Sequence, residues 1–290
     1  MLKDKAILVE KKVKIPSGTK RDLRLTGQLA HTYGGNSKAK VGNYNKEVVN
    51  SDYLKPFRNI RNQLNVYVDD WTLPWLAGLD LLPSKQLLDF SAFFRKKKSE
   101  WDDCFEKLSE QYPDEIKREA RVRMTNPSTG DSRYDERDYL PKEIFLDKFS
   151  MKMRFIPVSD ADDLDLRVHI GEQEAESIKR QVRADMEQEL RDTHTDLCLR
   201  IKEHVTHMRD ILSSDSPRIF DTMVDGVRQL ADTIPALNFM DDPKLNELAE
   251  DIRVGLNANT ILLRDSEYER EVVTNKAEDI LRKLGTIYAS

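Results

Sequence analysis

No apolar stretch in this 290-residue chain approaches the ~18 residues that a membrane-spanning helix needs. No apolar run follows Met1 either, because Lys3, Asp4 and Lys5 come first, so no secretory signal is expected. Cysteine is scarce. Cys104 and Cys198 each fall inside a helical pattern and read as small apolar residues of a reducing compartment. Together these absences predict a cytoplasmic protein without a membrane span. The chain also has no Gly-Lys dipeptide, which a phosphate-cradling P-loop requires. Gly34-Gly35-Asn36-Ser37-Lys38 has neither the spacing nor a following helix. No serine sits in Gly-x-Ser-x-Gly.

Metal chemistry is equally thin. His204 and His207 lie three apart beside Glu203, so one helical face offers two imidazoles, but the order matches neither His-Glu-x-x-His nor its inverse. Asp160, Asp162, Asp163 and Asp165 lack the glycine and the terminal glutamate of a calcium loop. They read as a solvated acidic turn. The expectation is a non-enzymatic protein with no catalytic residues, no metal and no cofactor.

What the chain does have is charge. Asp, Glu, Lys and Arg make up 34% of it against 39% hydrophobic residues, as suits a helix-rich protein with large solvated faces. Residues 1–125 hold 24 Lys+Arg against 17 Asp+Glu, whereas residues 126–290 hold 23 against 35. A basic front and an acidic back favour anionic partners or head-to-tail association.

One long charged helix dominates the pattern, from Glu172 to Leu212. Apolar positions recur at Ile178, Val182, Met186, Leu190, Thr193, Leu197, Ile201, Val205, Met208 and Leu212, about 3.8 residues per step. That is close to the straight-helix period and away from the 3.5 of a left-handed coiled coil. Neither Gly nor Pro interrupts it. At 1.5 Å per residue it spans about 60 Å, longer than a compact domain needs. Ile178, Val182, Met186, Leu190, Leu197 and Ile201 are therefore the candidate packing or oligomer seam.

Around that helix the spacing predicts an α+β fold, mostly helical, with a small antiparallel sheet and a long-helix bundle. Ile7–Ile15 reads as a strand ended by Pro16-Ser17-Gly18, and Met151–Pro157 alternates apolar and basic residues as its pairing partner. Leu166–Ile170 is a candidate third strand. Helices are expected at Ser51–Trp71, from Pro83-Ser84 to before Pro113, at Asp114–Met124, near Pro141–Phe149, and at Ser216–Ile234, Pro243–Leu256 and Thr260–Leu284. Asn126–Asp131 is the clearest break. Three segments follow: a basic part over 1–125, a linker with strands over 126–170, and an acidic helical part over 171–290.

Thr19–Asn50 reads as an extended polar loop, too long to be a plain connection. Lys20, Arg21, Arg24, Lys38, Lys40 and Lys46 lie in it with Tyr33 and Tyr44 between them, a composition suited to phosphate contacts and base stacking. They are the candidate nucleic-acid residues. Arg95–Lys98 and the set Lys117, Arg118, Arg121 and Arg123 read as solvated helix faces.

The strand over 6–15, the helix start Ser51-Asp52-Tyr53-Leu54-Lys55-Pro56-Phe57, the turn Trp75-Leu76-Ala77-Gly78 and the helix Phe90–Tyr112 resemble an uncharacterised family of phage and integrative-element proteins. The likeness extends more loosely through Lys152–Pro157 into the long helix and covers about two thirds of the chain. Such proteins tend to be encoded near a MoxR/CobS-type AAA+ ATPase and a CobT-like protein. The resemblance implies a neighbourhood, and no catalytic residues come with it. The leading expectation is a homo-oligomeric assembly factor of a phage or mobile element that works with the AAA+ ATPase. Alternatives are a nucleic-acid-binding accessory in recombination or DNA protection, and an inhibitor of a host defence system.

Overall fold

The computed structural model describes residues 2–33, 42–159 and 171–288. Helices hold 68% of the chain and a four-stranded antiparallel sheet accompanies them, so the fold is α+β and mostly helical. Lys38, Lys40, the Asp160–Asp165 turn and the candidate strand Leu166–Ile170 lie outside the described residues.

In chain order the elements are α1 (Leu2–Lys5), β1 (Ala6–Lys14), β2 (Thr19–Arg21), α2 (Leu23–Tyr33), β3 (Asn45–Glu47), α3 (Ser51–Trp71), β4 (Leu73–Trp75) and β5 (Leu79–Pro83). Then come α4 (Leu87–Gln111), α5 (Asp114–Arg123), α6 (Lys142–Leu146), β6 (Ser150–Pro157) and α7 (Glu172–Leu212). The chain closes with α8 (Asp221–Leu237), α9 (Pro243–Gly255), α10 (Thr260–Asp265) and α11 (Glu267–Tyr288).

The chain forms two compact units. The first comprises residues 1–10, 67–90 and 154–290, and the second residues 11–66 and 91–153. The linear division at 125 and 170 follows composition, whereas the compact units are interleaved in sequence. Asn126–Asp131 is not a boundary between them. It is a turn inside the second unit, closed by Gly130 N–H donating to Asn126 O at 2.9 Å and by a bridge between Thr125 and Ser132. Sorting charge by unit sharpens the polarity: the second unit carries 26 Lys+Arg and 17 Asp+Glu, the first 21 and 35.

The sheet has the order β4-β5-β1-β6, and β4, β5, residues 6–10 of β1 and residues 154–157 of β6 belong to the first unit. β1 lies beside β6, as the alternation predicted, but its other neighbour is a hairpin the sequence reading missed. There Leu8 faces Leu81 and Leu81 faces Leu73 across three strands. Leu73, Leu8 and Leu81 belong to one buried cluster with α7, α8, α9 and α11. Trp75-Leu76-Ala77-Gly78 is the tight turn of that hairpin, with Ala77 and Gly78 at positive φ. β4 is an edge strand, and α7 covers its open carbonyls. Thr193 Oγ1 donates to Pro74 O at 3.2 Å and Arg200 Nη2 to Thr72 O at 2.9 Å.

The long helix runs over the predicted residues, Glu172–Leu212, but its apolar stripe has two fates. From Thr193 onward it is buried: Leu197, Ile201, Val205 and Met208 are fully enclosed in the cluster with α8 and α11. Toward the N-terminal half, Met186 and Leu190 are half-buried, Val182 is partly covered and Ile178 is 38% exposed. The expected last helix is two helices. Ser266 adopts an extended conformation between α10 and α11, and its hydroxyl accepts from Glu269 N–H at 3.2 Å, starting a new helix.

The second unit is built on aromatic packing. Phe57 meets Trp101 edge-on at 4.8 Å and Phe149 at 4.9 Å, while Tyr112 stacks on Phe145 at 4.2 Å. Leu54, Phe57 and Leu64 on α3 and Leu108 on α4 are buried beneath it. Over its described residues, Thr19–Asn50 is not an extended loop, since it holds β2, α2 and β3. Asp22 caps α2 through Oδ1, which accepts from Leu25 N–H at 2.9 Å. Leu25 and Leu29, one turn apart, supply the half-buried face of this helix.

Candidate functional site

Within the second unit β2 and β3 pair antiparallel with Thr19 opposite Glu47, Lys20 opposite Lys46 and Arg21 opposite Asn45. Gly18 launches this ribbon. Its carbonyl accepts from both Val48 N–H at 2.8 Å and Val49 N–H at 3.0 Å. Two lysines directly opposite each other repel. Asp138 resolves the conflict: it sits 3.0 Å from Lys20 and also pairs with Lys46, with only 11% of its side chain exposed. Lys46 donates further to Arg133 O at 3.2 Å.

A belt of tyrosines and arginines surrounds this centre. Arg133 donates to the Tyr44 hydroxyl at 2.6 Å and lies 5.7 Å from its ring centre. Arg121 lies 5.0 Å over Tyr134, and Lys117 5.9 Å over Tyr139. Lys117 also pairs with Glu136 at 2.6 Å, and Tyr134 donates to the same carboxylate at 2.7 Å. Those two hydrogen bonds hold the Glu136 carboxyl below its ordinary pKa. Arg123 reaches Glu47 at 3.3 Å and Glu119 at 2.9 Å.

The six candidate nucleic-acid residues thus separate. Lys20 and Lys46 are brought together and held by a carboxylate. Arg21 on β2 and Arg24 on α2 are exposed and make no ion pair among the described residues. Lys117, Arg121 and Arg123 are not a plain solvated face, because the ribbon and the 133–139 segment engage them. Lys97, from the α4 basic run, turns inward to Gln63 at 2.7 Å and Glu100 at 2.8 Å. Sequence reasoning missed Asp138, Glu136, Arg133 and Tyr134. The signal was the run Arg133-Tyr134-Asp135-Glu136-Arg137-Asp138-Tyr139, alternating charge sign between aromatics.

In the first unit a second constellation resembles a thiol site. His194 and Cys198 are four apart on α7, and His194 Nε2 lies 3.8 Å from Asp242 Oδ2, beside a cleft of about 530 Å³. Cys198 is only 1% exposed. Burial, and then the Asp242 charge, push its thiol up to about 11. At pH 8 roughly one thiol in a thousand is ionised, and the thiolate is the reactive form. Cys198 is therefore expected to resist 5,5′-dithiobis(2-nitrobenzoate) in the folded protein and to react within seconds once the chain is unfolded. A native burst of two thiols per chain would contradict this. Among the described residues no group of three His, Cys, Asp or Glu side chains is placed to hold a metal ion, His204 and His207 included. Among the same residues no helix is long and apolar enough to cross a membrane.

No protein-family model matches this chain, and no curated protein and no solved structure matches it.

Proposed function

We propose that this chain is a non-enzymatic assembly or accessory protein that docks a protein partner through the β2–β3 ribbon face of its second unit. The observation that supports this reading is the Tyr/Arg belt around Asp138. Tyrosine and arginine are the residues that most often anchor protein interfaces, being large, rigid and able to pair in several ways. Lysines already held by carboxylates are less free to replace the counterions of a phosphate backbone. The resemblance to phage and integrative-element proteins makes a MoxR-type AAA+ ATPase the first partner to test, and self-association through the exposed end of α7 belongs to the same proposal.

A nucleic-acid reading keeps one specific support, the net charge of +9 on the second unit. Mass photometry separates the two. The purified protein is measured alone, with a MoxR-type AAA+ ATPase, and with short single- and double-stranded DNA at low salt. The protein-partner reading expects a complex with the ATPase that Arg121→Glu with Arg133→Glu abolishes, and no complex with DNA. A DNA complex whose affinity falls steeply with salt, with no ATPase complex, would replace it.

A further inference from the structure

Beside the ribbon the second unit carries a cleft of about 380 Å³, which shares Lys20 and Asp138 with the ribbon face. Its wall is the turn Pro16–Lys20, its floor Val48, Val49, Leu140 and Phe145, and its rim Lys20, Asp138 and Lys148. We propose that this cleft binds a small apolar monocarboxylate, with the carboxylate at the lysine rim and the apolar body on the floor.

The walls are fixed before any ligand arrives. Tyr112 is 2% exposed and donates its hydroxyl to Leu140 O at 2.6 Å, while Tyr139 donates to Val48 O at 3.1 Å. Both phenols are thus committed, and the stack of Tyr112 on Phe145 sets the floor. Gly18 has no space for a side chain, since a Cβ there would lie 2.7 Å from Leu54 Cδ1 and 2.9 Å from Val49 O. A preformed pocket with an apolar floor and a few polar groups is the usual form of a small-molecule site, and this volume is near the lower end of that range.

The charge of the occupant follows from the rim. Lys148 is exposed and makes no ion pair among the described residues. Lys20 keeps 51% of its side chain open while Asp138 holds it from one side at 3.0 Å. Asp138 divides its charge between Lys20 and Lys46, so the rim keeps a positive excess at Lys148 and at the open side of Lys20. That excess suits an anion, and the apolar floor suits one that carries a single charged group on an apolar body. Lysines serve as point charges and place no demand for a planar fork on the ligand. The proposal is independent of whether the ribbon face docks a partner.

The test uses the full-length protein, ¹⁵N-labelled, titrated with 1-naphthoate and separately with neutral 1-naphthalenemethanol. Saturable shifts are expected at the amides of Gly18, Thr19, Val48, Val49 and Leu140 with the carboxylate, and at least tenfold weaker binding of the alcohol. Lys148→Glu, an exposed change that leaves the fold intact, should weaken naphthoate about tenfold. Thr19→Trp, at the exposed mouth, should block it. No shifts at millimolar naphthoate, shifts centred elsewhere, equal binding of the alcohol, or indifference to Lys148→Glu would each overturn the proposal.

Discussion

Ile201→Asp is expected to cost at least about 4 kcal/mol and to abolish cooperative melting of the first unit. Ile201 is 0% exposed, and Leu197, Val205 and Met208 enclose it along the same helix face. The substitution removes a branched apolar side chain, leaves a void and places a carboxyl where no donor awaits it. Ile178→Asp, on the same stripe but 38% exposed, should shift stability by no more than about 0.5 kcal/mol. The pair separates two roles of one periodic pattern. Thermal melting reads the first, and light scattering of the Ile178 variant reads whether the exposed end of α7 joins copies of the chain. A wild-type melting curve for Ile201→Asp would mean that the helix is not packed as described.

Gly18→Ala should be the second severe substitution, costing about 3 kcal/mol. The φ of Gly18 is +77°, a left-handed conformation that a Cβ penalises by about 1–2 kcal/mol. The new methyl would also meet Leu54 Cδ1 at 2.7 Å and the Val49 carbonyl at 2.9 Å. The leucine can move, but the carbonyl belongs to the backbone bend just after β3 that Gly18 itself anchors. Gly42→Ala supplies the control, since its φ of +62° carries the same conformational penalty with nothing within 4 Å. Urea denaturation of both variants measures the difference. Equal losses would show that the close approach at Gly18 contributes nothing.

The long periodic elements could be read from the sequence because their signal is local. Glu172–Leu212 and Ser51–Trp71 have clean stripes and clear ends, and both helices occupy those residues. The hairpin β4–β5 was hidden because Leu79-Asp80-Leu81-Leu82-Pro83 is a short apolar run with no period of its own. Only pairing with β1, about seventy residues earlier, makes it a strand. The ribbon of the candidate site was hidden for the same reason. Lys20 and Lys46 looked like free cations because Asp138, which holds them, is distant in sequence. The break at Ser266 was hidden because Ile261 to Leu284 keeps a nearly continuous helical period across it.

The interleaving of the two units sets an order for events on the ribosome. Every residue of the second unit has been synthesised by Met153, whereas the first unit lacks α7 to α11 until residues 172–288 are made. β1 is one of the two interior strands, and it emerges before either neighbour, β5 or β6. Lys5 waits longer still, because its ion-pair partner is Asp241. At about 5–20 residues per second that interval is roughly 10–50 s. Until β5 is made, about seventy residues later, an apolar segment, Ala6-Ile7-Leu8-Val9, has no strand to pair with. The lysines on either side, Lys3 and Lys5 before it and Lys11, Lys12 and Lys14 after it, are placed where charge discourages pairing with another nascent chain.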